Sequence, residues 1–180
     1  RLYQERFPND KVIIADAHQY LLDHYKEYDF IWSSPPCPTH SRFNLSMKTV
    51  LKMRYPNMDL YQEIIFLDTF FNGKYCVENV IPFYQPLIPA KKRGRHLYWT
   101  NFNLPNSIKE RKNPELSRGL SKDIVLRLSK YHDYDFRKYK GKQDIRKIAR
   151  NLVDYEAGKI IFETMLGIMK QQNVKQNILF

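Results

Sequence analysis

A chain of 180 residues, 43% of them hydrophobic, can bury one core with a small appendage, and its two cysteines, without Cys or His partners at ligand spacing, point away from a disulfide scaffold and from a metal site. No run approaches the ~18 continuous apolar residues of a membrane helix, and Arg1-Leu2-Tyr3-Gln4 is unlike a signal peptide, so a cytoplasmic protein with no membrane partner is expected. The net charge of +11 is uneven: residues 91–150 hold 18 basic and 6 acidic side chains, against 12 and 13 in the other 120 residues.

Taken in order, Leu2 to Phe7 read as a helix stopped by Pro8-Asn9, and Lys11 to Ala15 as a short strand. Ala17 to Tyr25 read as a helix opening at the capping residue Asp16, and Asp29 to Trp32 as a second strand. Leu60, Ile64, Leu67 and Phe71 fall at i, i+4, i+7 and i+11 of a helix ended by Asn72-Gly73, with a third strand at Tyr75 to Glu78. Beyond Val80, Arg95 to Phe102 read as a strand, Ser117 to Tyr131 as a basic helix and Asp133 to Lys142 as irregular. A long helix starts at Ile145 with Ala157, Ile161, Met165 and Ile168 on one face. Strands separated by helices predict an α/β fold with a mainly parallel sheet, whose ligands bind at the carboxyl ends of the strands.

Cys37 lies in such a place. It follows the run Asp29-Phe30-Ile31-Trp32 in the loop Ser33-Ser34-Pro35-Pro36-Cys37-Pro38-Thr39-His40-Ser41, where two prolines fix φ and restrict the residues before them. Tyr98, Trp99, Tyr131, Tyr134, Phe136 and Tyr139 are interleaved with the cations of the basic third, a pattern expected of a nucleic-acid binder; a solvated basic face is the plainer alternative.

Pro-Pro-Cys, then Glu78-Asn79-Val80 after the third strand, then Arg93-Gly94-Arg95 before the next, resemble in order the motifs of the DNA (cytosine-5) methyltransferase family. The resemblance implies a Rossmann-like, S-adenosylmethionine-dependent methyltransferase fold with a small basic target-recognition region. Carbon 5 of cytosine is not nucleophilic, so the family adds a thiolate to carbon 6 of a flipped base to form an enamine; Cys37 takes that role here. Glu78 matches the carboxyl group held at N3 of the base, and Arg93 and Arg95 the cations that stabilise developing charge, although Arg93 could instead serve only as a phosphate ligand. Asp16 is similar to the residue that meets the adenine of S-adenosylmethionine, with helix capping an equally good reading, and both roles are compatible. Pro35, Asn151 and Val153, the last two in Arg150-Asn151-Leu152-Val153, are implied as further cofactor contacts. Thr39, His40, Ser41, Arg42, Lys91 and Lys92 are implied as DNA contacts, Lys91 standing where the family usually has Gln.

The family's Phe-x-Gly-x-Gly loop and the acidic residue after it have no counterpart. The resemblance therefore implies that the cofactor's cradle lies in a preceding segment or in a second polypeptide, and that the 180 residues alone bind S-adenosylmethionine poorly. Residues 1–100 are expected to form the catalytic core, 101–144 the target-recognition region and 145–180 a C-terminal helix returning to the core. Double-stranded DNA is the expected partner, with a restriction endonuclease as a second partner in a prokaryotic or phage-encoded modification system. A tRNA cytosine-5 methyltransferase and an inactive DNA-binding remnant are the alternatives.

Overall fold

The computed structural model describes residues 2–46, 54–108, 124–139, 144–145, 148, 152 and 154–168. The fold is α/β with a four-strand mixed sheet that contains one parallel pair, and the chain divides into two compact units, Arg1–Pro89 and Ala90–Phe180. Among the described residues no helix is long and apolar enough to cross a membrane.

The first unit contains α1 (Leu2–Arg6), α2 (Ala17–His24) with a 3-10 turn over Tyr25–Glu27, β1 (Phe30–Ser33), α3 (Arg42–Ser46), α4 (Asp59–Phe70) and β2 (Lys74–Val80). Asp16 starts α2 as expected: its carboxylate accepts from the Gln19 amide at 2.9 Å, a cap worth about 1 kcal/mol. On α4 the apolar spacing holds, with Leu60, Ile64 and Leu67 buried and Phe71 buried just beyond the last turn. β1 and β2 are parallel, with Phe30 opposite Lys74 and Ser33 opposite Val77. Gly73 allows them to start side by side, because a Cβ there would lie 2.4 Å from the Asp29 carbonyl oxygen, which accepts from the Lys74 amide at 2.9 Å.

The segment Lys11 to Ala15 is not the expected strand. Val12, Ile13 and Ile14 have β propensity, but no described strand pairs with them, and Ile14 is 97% exposed. Propensity without a ladder partner and a face to bury does not make a strand.

The second unit contains β3 (Lys91–Arg93), β4 (His96–Thr100), α5 (Ile124–His132), a 3-10 turn over Phe136–Tyr139 and α6 (Tyr155–Met165). β3 and β4 form an antiparallel hairpin in which Arg93 faces His96 across the two-residue turn Gly94-Arg95. Gly94 has φ 53° and Arg95 does not share that region, the pattern of a type II′ turn, whose first central position suits glycine. This hairpin is why the sheet is mixed rather than mainly parallel.

The expected long helix from Ile145 does not run through. Ile148 donates to the Asp144 carbonyl in a helical bond, but Leu152 is non-helical and Asp154 is extended, its carboxylate capping α6 through the Glu156 amide at 3.2 Å. Ala157 and Ile161 are buried on α6 as expected, whereas Ile168 lies beyond its end. Gly167, with φ 71°, closes the helix: the Ile168 amide reaches back to the Glu163 carbonyl at 3.0 Å, as in a Schellman motif.

Aromatic residues of the basic third are largely core. Tyr98, Trp99, Phe136 and Tyr139 are buried, and Lys138 Nζ sits 4.7 Å from the Tyr134 ring centroid. Rings placed inside the unit do not stack on bases, so only the charge of this segment remains as a nucleic-acid signal.

Candidate active site

Parallel pairing delivers the ends of β1 and β2 to the same edge of the sheet, so the loop leaving β1 and the last residues of β2 meet there. Ser34 Oγ accepts from Trp32 Nε1 at 2.9 Å and donates to Glu78 Oε2 at 3.0 Å. Glu78 is thereby held against the loop that carries Cys37, and its side chain is buried. Its neighbour Asn79 ties down the same loop: Nδ2 donates to the Pro35 carbonyl at 3.0 Å, while Oδ1 accepts from the Val80 amide at 2.9 Å. Both polar residues of Glu-Asn-Val thus engage the stretch Ser34-Pro35 that leads into Cys37.

After the prolines the chain closes tightly. The Cys37 carbonyl accepts from the amides of both His40 and Ser41 at 3.0 Å. Thr39 Oγ1 accepts from the Asn57 amide at 3.1 Å, and Asn44 bridges the Thr39 carbonyl and the backbone of Arg54. Cys37 is half-buried within this frame. Burial pushes its thiol up, a backbone hydrogen bond opposes this, and the charge of Glu78 raises it further.

Of the residues expected at the DNA backbone, Arg42 is exposed at the start of α3, while Thr39, His40 and Ser41 are used inside the loop. Ser41 Oγ accepts from the Phe43 amide at 3.2 Å. His40 is 1% exposed, and its Nδ1 pairs with the Tyr84 hydroxyl, which also accepts from Tyr61. Its Nε2 has no hydrogen-bond partner among the described residues. Burial lowers the pKa of this ring, and the backbone of Asn57 offsets part of that shift.

Beside the loop, and wholly within the first unit, lies a cavity of about 580 Å³ bordered by Asp16, Pro35, Pro36, His40 and Glu63. That volume is in the usual range for a small-molecule site of ~300–1,000 Å³. Glu63 is 5% exposed on the buried face of α4; its Oε2 accepts from Ser33 Oγ at 2.6 Å and its Oε1 meets His18 Nδ1 at 3.3 Å. Two of the cofactor residues expected from the sequence, Asp16 and Pro35, therefore line one cavity, while Asn151 and Val153 lie outside the described residues.

Alternation along β3 separates its cations. Lys91 and Arg93 turn back onto their own unit: Lys91 Nζ donates to Thr100 Oγ1 at 2.9 Å and to the Phe102 carbonyl, and Arg93 donates to the carbonyls of Pro105 at 2.9 Å and Leu104 at 3.1 Å and to Asn106 Oδ1 at 2.9 Å. Lys92 and Arg95 are the exposed pair. The guanidinium of Arg93 thus fixes the chain after β4.

Residues the sequence reading passed over are Ser34, Asn79, Glu63, His18 and Tyr84. Glu63 had a signal, a carboxylate three residues after Leu60 on the apolar stripe of α4, where a charge is buried only with partners. Tyr84 had none, since its approach to His40 depends on tertiary structure. Comparison with protein-family models, curated proteins and solved structures returns no match.

Proposed function

We propose that the chain is an S-adenosylmethionine-dependent DNA cytosine-5 methyltransferase in which Cys37 is the nucleophile and Glu78 the group at N3 of the flipped base. The observation that carries the reading is the Ser34–Glu78 hydrogen bond, because it sets a buried carboxylate against the proline-framed loop of the half-buried thiol. Glu78 receives the Cys37 proton as Sγ bonds to carbon 6; the electron pair of the 5,6 double bond moves between carbons 4 and 5, that of the carbon 4–N3 double bond moves onto N3, and Glu78 passes the proton there. S-adenosylmethionine, when bound, supplies an electrophilic methyl group for carbon 5. N3 gives its proton back to Glu78 as carbon 5 is methylated; loss of the carbon 5 proton to water and departure of Sγ from carbon 6 then restore the aromatic ring and free the thiolate.

Asp16, Pro35 and Glu63 border the space for the cofactor, and Arg42, Lys92 and Arg95 are the exposed cations offered for DNA phosphates. Arg93 supports the hairpin in this reading rather than the reacting base. The test is covalent trapping. Duplex DNA carrying 5-fluorocytosine, which cannot lose a carbon 5 proton, should hold the protein in a denaturation-resistant adduct that disappears in Cys37→Ser and persists in Cys76→Ser. An adduct that forms only with modified tRNA would move the substrate to RNA; one that survives Cys37→Ser would overturn the assignment.

A further inference from the structure

The cavity beside the Cys37 loop has a chemical character that neither the motifs nor the mechanism requires. Among the described residues three carboxylates border it, Asp16, Asp59 and Glu63, and no lysine or arginine does, in a chain with a net charge of +11. Its walls are aromatic, formed by Tyr20, Tyr25, Tyr28, Phe30 and Trp32. Tyr20 and Tyr28 are joined hydroxyl to hydroxyl at 3.0 Å, which holds the Tyr20 phenol neutral with its pKa pushed up to about 12. The buried His40 borders the same space.

We infer that this cavity selects a cationic ligand, and that, under the methyltransferase reading on which the inference rests, it holds the sulfonium form of the cofactor in preference to the neutral thioether left after methyl transfer. Aromatic faces attract a cation through their negative quadrupole, and the attraction grows when the cation is taken out of water. Carboxylates in the same enclosure add a field of the same sense, and Glu63, buried and pinned by Ser33 and His18, cannot swing away to solvent. The thioether has the same adenosine and amino-acid groups and lacks the methyl group and, with it, the positive charge at sulfur. Discrimination reads chiefly that charge, which the ammonium analogue below keeps without the methyl group, and the product is released more readily than the substrate is lost.

The experiment is calorimetry of the chain with S-adenosylmethionine, with S-adenosylhomocysteine, and with an analogue carrying a primary ammonium in place of the methylsulfonium. The two cations should bind about tenfold more tightly than the thioether. Asp59→Asn and Glu63→Gln should each narrow that ratio while leaving thioether affinity near its starting value; Asp59, at the rim of α4, keeps the test open if the Glu63 variant does not fold. Equal affinities, with 5-fluorocytosine trapping intact, would overturn the inference and leave the methyltransferase reading standing. Failure of all three ligands to bind at millimolar concentration would overturn the inference, and absence of trapping would overturn the reading, whatever the ratio of affinities.

Discussion

Ser34 Oγ donates to Glu78 Oε2 at 3.0 Å while accepting from Trp32 Nε1 at 2.9 Å, so one hydroxyl on the loop after β1 orients the carboxylate of β2. Removing that hydroxyl takes away a hydrogen bond to a charged group, worth ~1.5–3 kcal/mol. Ser34→Ala should lower kcat for methyl transfer by about tenfold or more with little change in the affinity for DNA. Single-turnover kinetics check this, and an unchanged rate would show that Glu78 does not depend on Ser34.

The thiol of Cys37 is raised first by burial, with Glu78 adding to the effect. Alkylation of Cys37 by iodoacetamide should therefore follow a pH curve whose midpoint lies above that of an ordinary thiol, and Glu78→Gln should move the midpoint down. A raised thiol pKa means that the folded state holds its proton more tightly than the unfolded chain. Its contribution to stability is complete below the unfolded thiol's pKa and is lost as pH rises through the folded value. Urea unfolding at several alkaline pH values should show that loss in the parent and less of it in Glu78→Gln.

On the β3–β4 hairpin, neighbours should behave differently. Arg93→Ala strands the carbonyls of Leu104 and Pro105 and should destabilise the second unit by about 2 kcal/mol, seen as a lower Tm. Arg95→Ala and Lys92→Ala should leave Tm nearly unchanged and each reduce the salt dependence of DNA binding by about one unit in a plot whose slope is ~−0.9 per phosphate contacted. A normal Tm for Arg93→Ala together with lost methyl transfer would return Arg93 to the reacting base.

Gly94→Ala places a side chain at φ 53° in the turn and should cost ~1 kcal/mol by strain. Gly73→Ala should be worse, since its Cβ would lie 2.4 Å from both the Asp29 carbonyl oxygen and the Phe71 ring. Thermal melts rank the two, and a benign Gly73→Ala would mean that the starts of β1 and β2 can separate.

Local rules were readable where a single residue decided the outcome. Asp16 opened α2, the Leu60–Ile64–Leu67 spacing marked the buried face of α4, and the runs at Phe30 and Tyr75 became the parallel pair. Elements decided by partners were not readable. Lys11 to Ala15 lacked a neighbouring strand, β3 gave only three residues of signal, and Asp154 restarted a helix whose apolar pattern suggested none was needed. At the site, Cys37 and Glu78 could be chosen from strand ends, whereas Asp16 follows no strand and was legible only as a helix cap, and the roles of His40, Lys91 and Arg93 turned on acceptors distant in sequence: Tyr84, Thr100 and Leu104.

The exposed segment Val12-Ile13-Ile14-Ala15 has a colloidal consequence. Four consecutive apolar residues without proline, three of them β-branched and unpaired, are the kind of stretch that templates intermolecular cross-β growth. Lys11 and Asp16 bracket it as gatekeepers whose charges must be desolvated before two such stretches can stack. Shelf life in concentrated solution should then be governed by this stretch rather than by global unfolding, and Ile14→Lys should lengthen it without shifting the melting transition.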